Sequence, residues 1–275
     1  MDKKINWYPG HMVAAKRMME ENLKLVDLII EIRDARIPLA SANPDIEKFN
    51  KPRLILLNKA DLADEQKTKA WIDYFAKNGI NAYSISAKKN LSFVQGYIDK
   101  VFAEKNEHFL SKGINRLPRA LVAGIPNVGK STVINSLSGA QRAKTGDKPG
   151  ITRGKQWIKT KNVELLDSPG LLWPRLDDQQ SALYLAFTGA INDDIFDLEE
   201  LALSLLNVLR EKYPALLEAR YGITLNEQAI DDYEAICQKR GYFLKNKEFD
   251  YLRGAKAILD DFRSARIGNI SLEEP

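Results

Sequence analysis

The chain has 275 residues, 44% of them hydrophobic, with a mean hydropathy of −0.34 and a formal net charge of +4. That is enough apolar material for a sizeable core in one or two domains, and no apolar run approaches the roughly 18 residues that would span a bilayer. One cysteine, Cys237, and two histidines, His11 and His108, exclude an internal disulfide and a cysteine-based or histidine-rich metal site.

Residues 1–7 lack the apolar h-region of a signal peptide, so a cytoplasmic protein is expected. After the leader Trp7-Tyr8-Pro9-Gly10-His11-Met12, apolar residues recur at helical spacing (Val13, Ala14, Met18, Leu25), which predicts a helix over 11–25. Residues 26–32 are β-branched and apolar, a buried strand that ends in Asp34-Ala35-Arg36-Ile37-Pro38. Residues 53–57 form the next strand, with Asn58 at its carboxyl end. A crossover helix over 64–77, a strand over 80–85 and a helix over 90–110 follow. Residues 119–123 are a strand and 130–138 a helix. Residues 157–161 and 163–166 read as a hairpin turning at Lys161-Asn162. Alternating strands and helices predict an α/β fold with a mainly parallel sheet and one antiparallel pair.

From about residue 178 the strand signal stops. Residues 181–190, 198–212, 226–240 and 248–266 read as helices, punctuated by Pro214, Gly222 and Gly241. The expected organisation is a first domain over 1–177 and a small all-α domain over 178–275.

Between the strand at 119–123 and its helix lies Gly124-Ile125-Pro126-Asn127-Val128-Gly129-Lys130-Ser131. A short loop with two glycines lets successive N–H groups wrap a phosphate at a helix N-terminus, where the macrodipole favours anions. Lys130 would bridge β- and γ-phosphate oxygens, and the Ser131 hydroxyl would ligate magnesium. Asn127, Val128, Gly129 and Thr132 complete the phosphate-binding set. This is a P-loop.

Asn58-Lys59-Ala60-Asp61 chooses the base. Guanine offers an imino N–H and an exocyclic amino group side by side, which one carboxylate, Asp61, accepts together; adenine lacks that pair. The Lys59 stem can cover a face of the base, and Asn58 ties this loop to the P-loop. Ser84-Ile85-Ser86-Ala87-Lys88 ends the next strand, with Ser86 at the base and the Ala87 N–H meeting the guanine carbonyl. Asp167-Ser168-Pro169-Gly170 would hold magnesium through Asp167 and contact the γ-phosphate through the Gly170 N–H. Thr152, in a Gly- and Lys-rich stretch, is the candidate first-switch residue and a magnesium ligand.

The base reader precedes the P-loop by about seventy residues, the reverse of the usual GTPase order. Pockets are made by strand ends rather than by sequence order, so the chain reads as a circularly permuted GTPase. Permutation runs the second switch, 167–175, directly into the helical region. The γ-phosphate contacts at Thr152 and Gly170 are therefore expected to set the angle of residues 180–275.

Leu171 stands where many GTPases carry a water-orienting glutamine, so unaided hydrolysis should be slow. Asn127 reads either as an aid to placing a potassium ion against the phosphates or as a loop cap. His11 reads either as a group that orients the attacking water or as a surface histidine.

Charge is uneven: residues 1–180 carry +10 and residues 181–275 carry −6. The excess around Arg142, Lys144, Lys148, Arg153, Lys155 and Lys159 is either a solvated loop or a surface for RNA phosphates. In the last helix, Leu252, Ala255, Leu259 and Phe262 read as core. Arg253, Lys256, Arg263 and Arg266, with Lys239, Arg240, Lys245 and Lys247, read as a second RNA patch or a solvated face.

These motifs together resemble the ribosome biogenesis GTPase A family, circularly permuted bacterial GTPases of large-subunit assembly. The likeness extends from Trp7-Tyr8-Pro9-Gly10-His11-Met12 through Asp34-Ala35-Arg36-Ile37-Pro38 and Asp167-Ser168-Pro169-Gly170-Leu171 to the helical C-terminal part. The resemblance implies GTP hydrolysis to GDP with Mg2+, stimulation by potassium and by the ribosomal particle, and a catalytic role for His11. It also implies binding to the large (50S) subunit precursor and its rRNA, with no membrane and no DNA partner. The alternative is a nucleotide-gated RNA-binding scaffold in which hydrolysis is incidental.

Overall fold

The computed structural model describes residues 21–44, 46–86, 91–113, 116–139, 156–160, 163–167 and 178–275. Strands β1 (Leu28–Asp34), β2 (Arg53–Asn58), β3 (Asn81–Ser84), β4 (Arg119–Ala123), β5 (Gln156–Lys159) and β6 (Glu164–Asp167) form a six-stranded sheet in the order β3-β2-β1-β4-β6-β5. Every neighbouring pair is parallel except β5 and β6, as the hairpin reading expects. A parallel sheet is covered on both faces, and β1 is buried along its whole length. Leu28, Ile30 and Ile32 face one core; Ile29 faces another, with Leu23, Leu121 and Leu166.

The polar members of β1 are buried as well, which its apolar reading did not anticipate. Glu31 pairs with Arg33 at 2.9 Å and accepts the Asn43 N–H, while the Arg33 guanidinium lies over the Phe75 ring. Paired and hydrogen-bonded charges can stay inside where single ones cannot.

Helix α1 (Glu65–Lys77) starts where the Asp64 carboxylate accepts the Gln66 and Lys67 N–H groups. It packs Trp71 and Phe75 against Ile55 and Leu57. Helix α2 (Ser92–Ser111) leads to β4, and α3 (Lys130–Ser138) follows the P-loop.

From residue 178 the described chain is helical: α4 (Gln179–Phe187), α5 (Leu198–Lys212), α6 (Pro214–Tyr221), α7 (Ala229–Arg240) and α8 (Tyr251–Arg263). Helix α6 lies where the sequence suggested only punctuation. Pro214 occupies its first turn, where a missing N–H is harmless, and Leu217 and Tyr221 turn inward. Ala255, Leu259 and Phe262 of α8 are buried as expected, but Leu252 is 45% exposed. Helices α7 and α8 touch closely at Gly254, where an added Cβ would lie 2.7 Å from Cys237 Sγ.

Buried residues of the helices and of one sheet face form one continuous cluster. A returning segment strengthens that junction. The Ile270 N–H donates to Leu62 O at 3.2 Å and the Leu272 N–H to Arg36 O at 2.8 Å. The Glu273 carboxylate accepts the Leu39 and Ala40 N–H groups.

Candidate functional site

Strand β4 delivers the chain into the P-loop at the carboxyl edge of the sheet, the edge where open α/β sheets bind ligands. Gly124 is required by crowding, since a Cβ there would sit 2.5 Å from the Ile32 carbonyl oxygen. Asn127 and Gly129 both have positive φ, 58° and 95°. Left-handed residues interleaved in a loop curl successive N–H groups around one concavity. Gly129 then caps α3, whose first turn carries Lys130, Ser131 and Thr132.

The Lys130 ammonium is buried and donates to Ile125 O, within the same loop, at 2.8 Å. Burial pulls its pKa down to about 8, against the opposing pull of the Asp167 carboxylate. Asp167 ends β6 in register with Val122 of β4, so this acid stands beside the strand that feeds the P-loop. A hydroxyl at Ser131 and a carboxylate at Asp167 are hard oxygen donors, the set that suits magnesium completed by phosphate oxygens. The residues present fit the metal.

Two strands away, Asn58 ends β2. Its side-chain N–H donates to Val128 O at 2.7 Å, across 70 residues of sequence. Lys59 adopts the left-handed conformation, φ 60°, and begins the short 3-10 turn Ala60–Leu62 that presents Asp61 to solvent. The Ala60 N–H donates to Ile85 O at 3.1 Å, joining this turn to the end of β3, where half-buried Ser86 follows. The turn at residues 58–62, the Ser86 strand end and the P-loop thus lie along one edge. His11, Ala87, Thr152 and Gly170 lie outside the described residues.

Some of what surrounds this edge was not singled out from sequence as part of the site. The Lys59 ammonium meets the Asp34 carboxylate at 3.0 Å, and that carboxylate is also held by Arg36. Asn127 donates through Nδ2 to Gly189 O at 2.8 Å, so the P-loop touches the end of α4. Arg263 closes the same helix end by donating to Phe187 O and Ala186 O and pairing with Asp193. Asp34 and Arg36 are only two residues apart, but the ties from Lys59 to Asp34, from Asn127 to Gly189 and from Arg263 to α4 have no local sequence signal, because each joins elements distant in sequence. Asp34-Ala35-Arg36 was legible as a strand end and as part of the family likeness, with no role in the site attached to it.

The expected basic face of the last helix is smaller than its spacing suggests. Arg263 is spent on α4, and Arg266 pairs with Asp260 at 2.8 Å and Asp261 at 3.2 Å. Arg253 lies over the Tyr242 ring. Helical periodicity places side chains on a face but does not reveal which of them neighbouring carboxylates and carbonyls will claim.

A family model described as "50S ribosome-binding GTPase" matches residues 119–241. The Ribosome biogenesis GTPase A of Bacillus cereus is 43% identical over 278 residues, covering 98% of this chain and 94% of that protein. The protein of the same name from Thermotoga maritima is 32% identical, with 98% and 95% covered. Among solved structures, GDP-bound YlqF has a TM-score of 0.68 at 27% identity, covering 94% of this chain and 99% of that one. GNP-bound YlqF from T. maritima has a TM-score of 0.66 at 28% identity, with 95% and 98% covered. With this motif set on a permuted P-loop sheet, and likeness along nearly the whole chain, the protein belongs to the ribosome biogenesis GTPase A family of circularly permuted GTPases.

Proposed function

We propose that this protein binds the precursor of the large (50S) ribosomal subunit through its rRNA and hydrolyses GTP during late assembly. The observation that carries the nucleotide half of this reading is the hydrogen bond from Asn58 to Val128, which brings the base reader to the P-loop. The ribosomal half is carried by the likeness to a ribosome biogenesis GTPase and to a 50S ribosome-binding GTPase family. In this reading Asn58, Lys59, Asp61, Ser86 and Ala87 recognise guanine. Asn127 through Thr132 and Gly170 hold the phosphates.

Lys130 leaves Ile125 O for the β- and γ-phosphate oxygens, which replace a neutral acceptor with an anionic one. Ser131, Thr152 and Asp167 would hold magnesium, which when bound neutralises phosphate charge. Leu171 cannot polarise water, so His11 orients the nucleophile and the ribosomal particle completes the site. Asn127 would hold potassium through its amide oxygen, since its nitrogen is turned to Gly189 O. Residues 1–177 act as the nucleotide module and 178–275 as the helical RNA-binding domain. The two are coupled through the second switch, and the protein works in the cytoplasm.

Single-turnover GTP hydrolysis with and without 50S precursor particles tests this. A clear rate increase with particles, larger in potassium than in sodium, is expected. The same slow rate in all conditions, with particle binding retained, would favour the alternative of a nucleotide-gated RNA scaffold. His11→Ala at wild-type particle-stimulated rate would remove that histidine from the chemistry.

A further inference from the structure

Strand β1 lies between the base-reading strand β2 and the P-loop strand β4, and Asp34 is its last residue, paired in register with Asn58. Its carboxylate is buried and carries two cations. Arg36 takes it with two side-chain N–H groups, at 2.9 and 2.8 Å, and Lys59 meets Oδ2 at 3.0 Å. The backbone is fastened as well. The Asp34 N–H donates to Ser41 Oγ, and the Ala35 N–H donates to Asn58 O at 2.8 Å. Burial alone would raise the Asp34 pKa, but Arg36 and Lys59 outweigh it and hold the carboxyl well below the usual carboxylate range. The carboxylate is therefore ionised throughout the neutral range.

From this geometry we infer that Asp34 is a positioning residue for guanine recognition, anchoring the Lys59 ammonium so that the lysine stem is already set across the base site. The inference rests on reading Lys59 as the residue that covers the base. A lysine that must be immobilised during binding weakens affinity, whereas one fixed beforehand does not. Arg36 extends the anchor. Its guanidinium lies 5.5 Å from the centre of the Phe262 ring in α8, and its carbonyl accepts the Leu272 N–H. The support for the base-reading lysine thus runs into the helical region.

The test compares binding of GDP with binding of inorganic pyrophosphate, both with magnesium, in the full chain. Pyrophosphate engages the P-loop and has no base. Asp34→Asn is expected to weaken GDP binding about five- to tenfold, the scale of one immobilised long side chain, and to change pyrophosphate binding less than twofold. In a Lys59→Met background, Asp34→Asn should add nothing further to the GDP loss. Because Asp34→Asn leaves Arg36 buried without its counter-charge, the pair Asp34→Asn/Arg36→Met is measured in parallel and should give the same selective loss. Equal losses for both ligands, additive losses with Lys59→Met, or unchanged GDP affinity would each overturn the role of Asp34. Wild-type protein that binds GDP no better than pyrophosphate would overturn the guanine-reading itself.

Discussion

Asn58 and Val128 are 70 residues apart in sequence, yet the Asn58 side chain donates to the Val128 carbonyl at 2.7 Å inside the protein. One amide thereby fixes the spacing between the turn that follows β2 and the P-loop. Asn58→Ala leaves a buried carbonyl without that donor, a loss of about 1–3 kcal/mol. Denaturant unfolding should show the destabilisation, and GDP titration should show weaker binding, because both loops lose their common reference.

Gly129 meets the same contact from the other side. Its φ of 95° and the collision of an added Cβ with the Asn58 amide both exclude a side chain. Gly129→Ala is expected to destabilise by about 1–3 kcal/mol and to weaken GDP binding at least about tenfold. Wild-type affinity and an unshifted melting curve in this variant would show that the loop can rearrange freely.

The link from Asn127 to Gly189 predicts a local effect away from the pocket. Asn127→Ala should raise amide hydrogen exchange around residues 186–191, where the end of α4 loses a partner, with exchange in α7 unchanged. Uniform exchange across all helices would argue against a local tie.

Stability of the junction made by residues 270–273 should depend on pH. Burial pushes the Glu273 carboxyl up from 4.5 to about 7, against the pull of the Leu39 and Ala40 N–H groups. Between those values the folded state holds a proton that the unfolded chain has released. Folding stability contributed by this group therefore falls as pH rises from about 4.5 to 7 and is flat above. Glu273→Gln should remove the slope. Urea unfolding at pH 5 and pH 7.5 should show wild type losing up to about 3 kcal/mol more than the variant.

Packing between α7 and α8 depends on the missing side chain at Gly254, where a Cβ would stand 2.7 Å from Cys237 Sγ and 2.8 Å from the Tyr233 ring. Gly254→Ala should destabilise by about 1–3 kcal/mol through overpacking, despite the better helix propensity of alanine. A higher melting temperature would mean that the helices separate at little cost.

Much of the nucleotide half is legible in the residues because its signals are local. Gly129 and Lys130 open a helix after an apolar strand, and Asn58 follows another, so β2, β4 and α3 lie where periodicity puts them. Helix α6 was missed because Pro214 serves equally as a helix stop and as a first-turn residue, and only Leu217 and Tyr221 finding a core decides between them. Leu252 fits the apolar stripe of α8 yet stays half exposed, since a stripe says which residues share a face and not how far the neighbouring helices cover it.

What the sequence by itself determined is the family: a P-loop, the Asn58–Asp61 string and their permuted order, all carried by short contiguous strings. Tertiary structure alone decided which charges serve the site and which serve the fold. Arg263 closes α4, Arg36 and Lys59 share the Asp34 carboxylate, and Asn127 reaches Gly189. Apart from the local Asp34–Arg36 pair, each of these pairings joins residues on separate elements, and a buried polar group takes whichever partner the packed chain brings within hydrogen-bond reach.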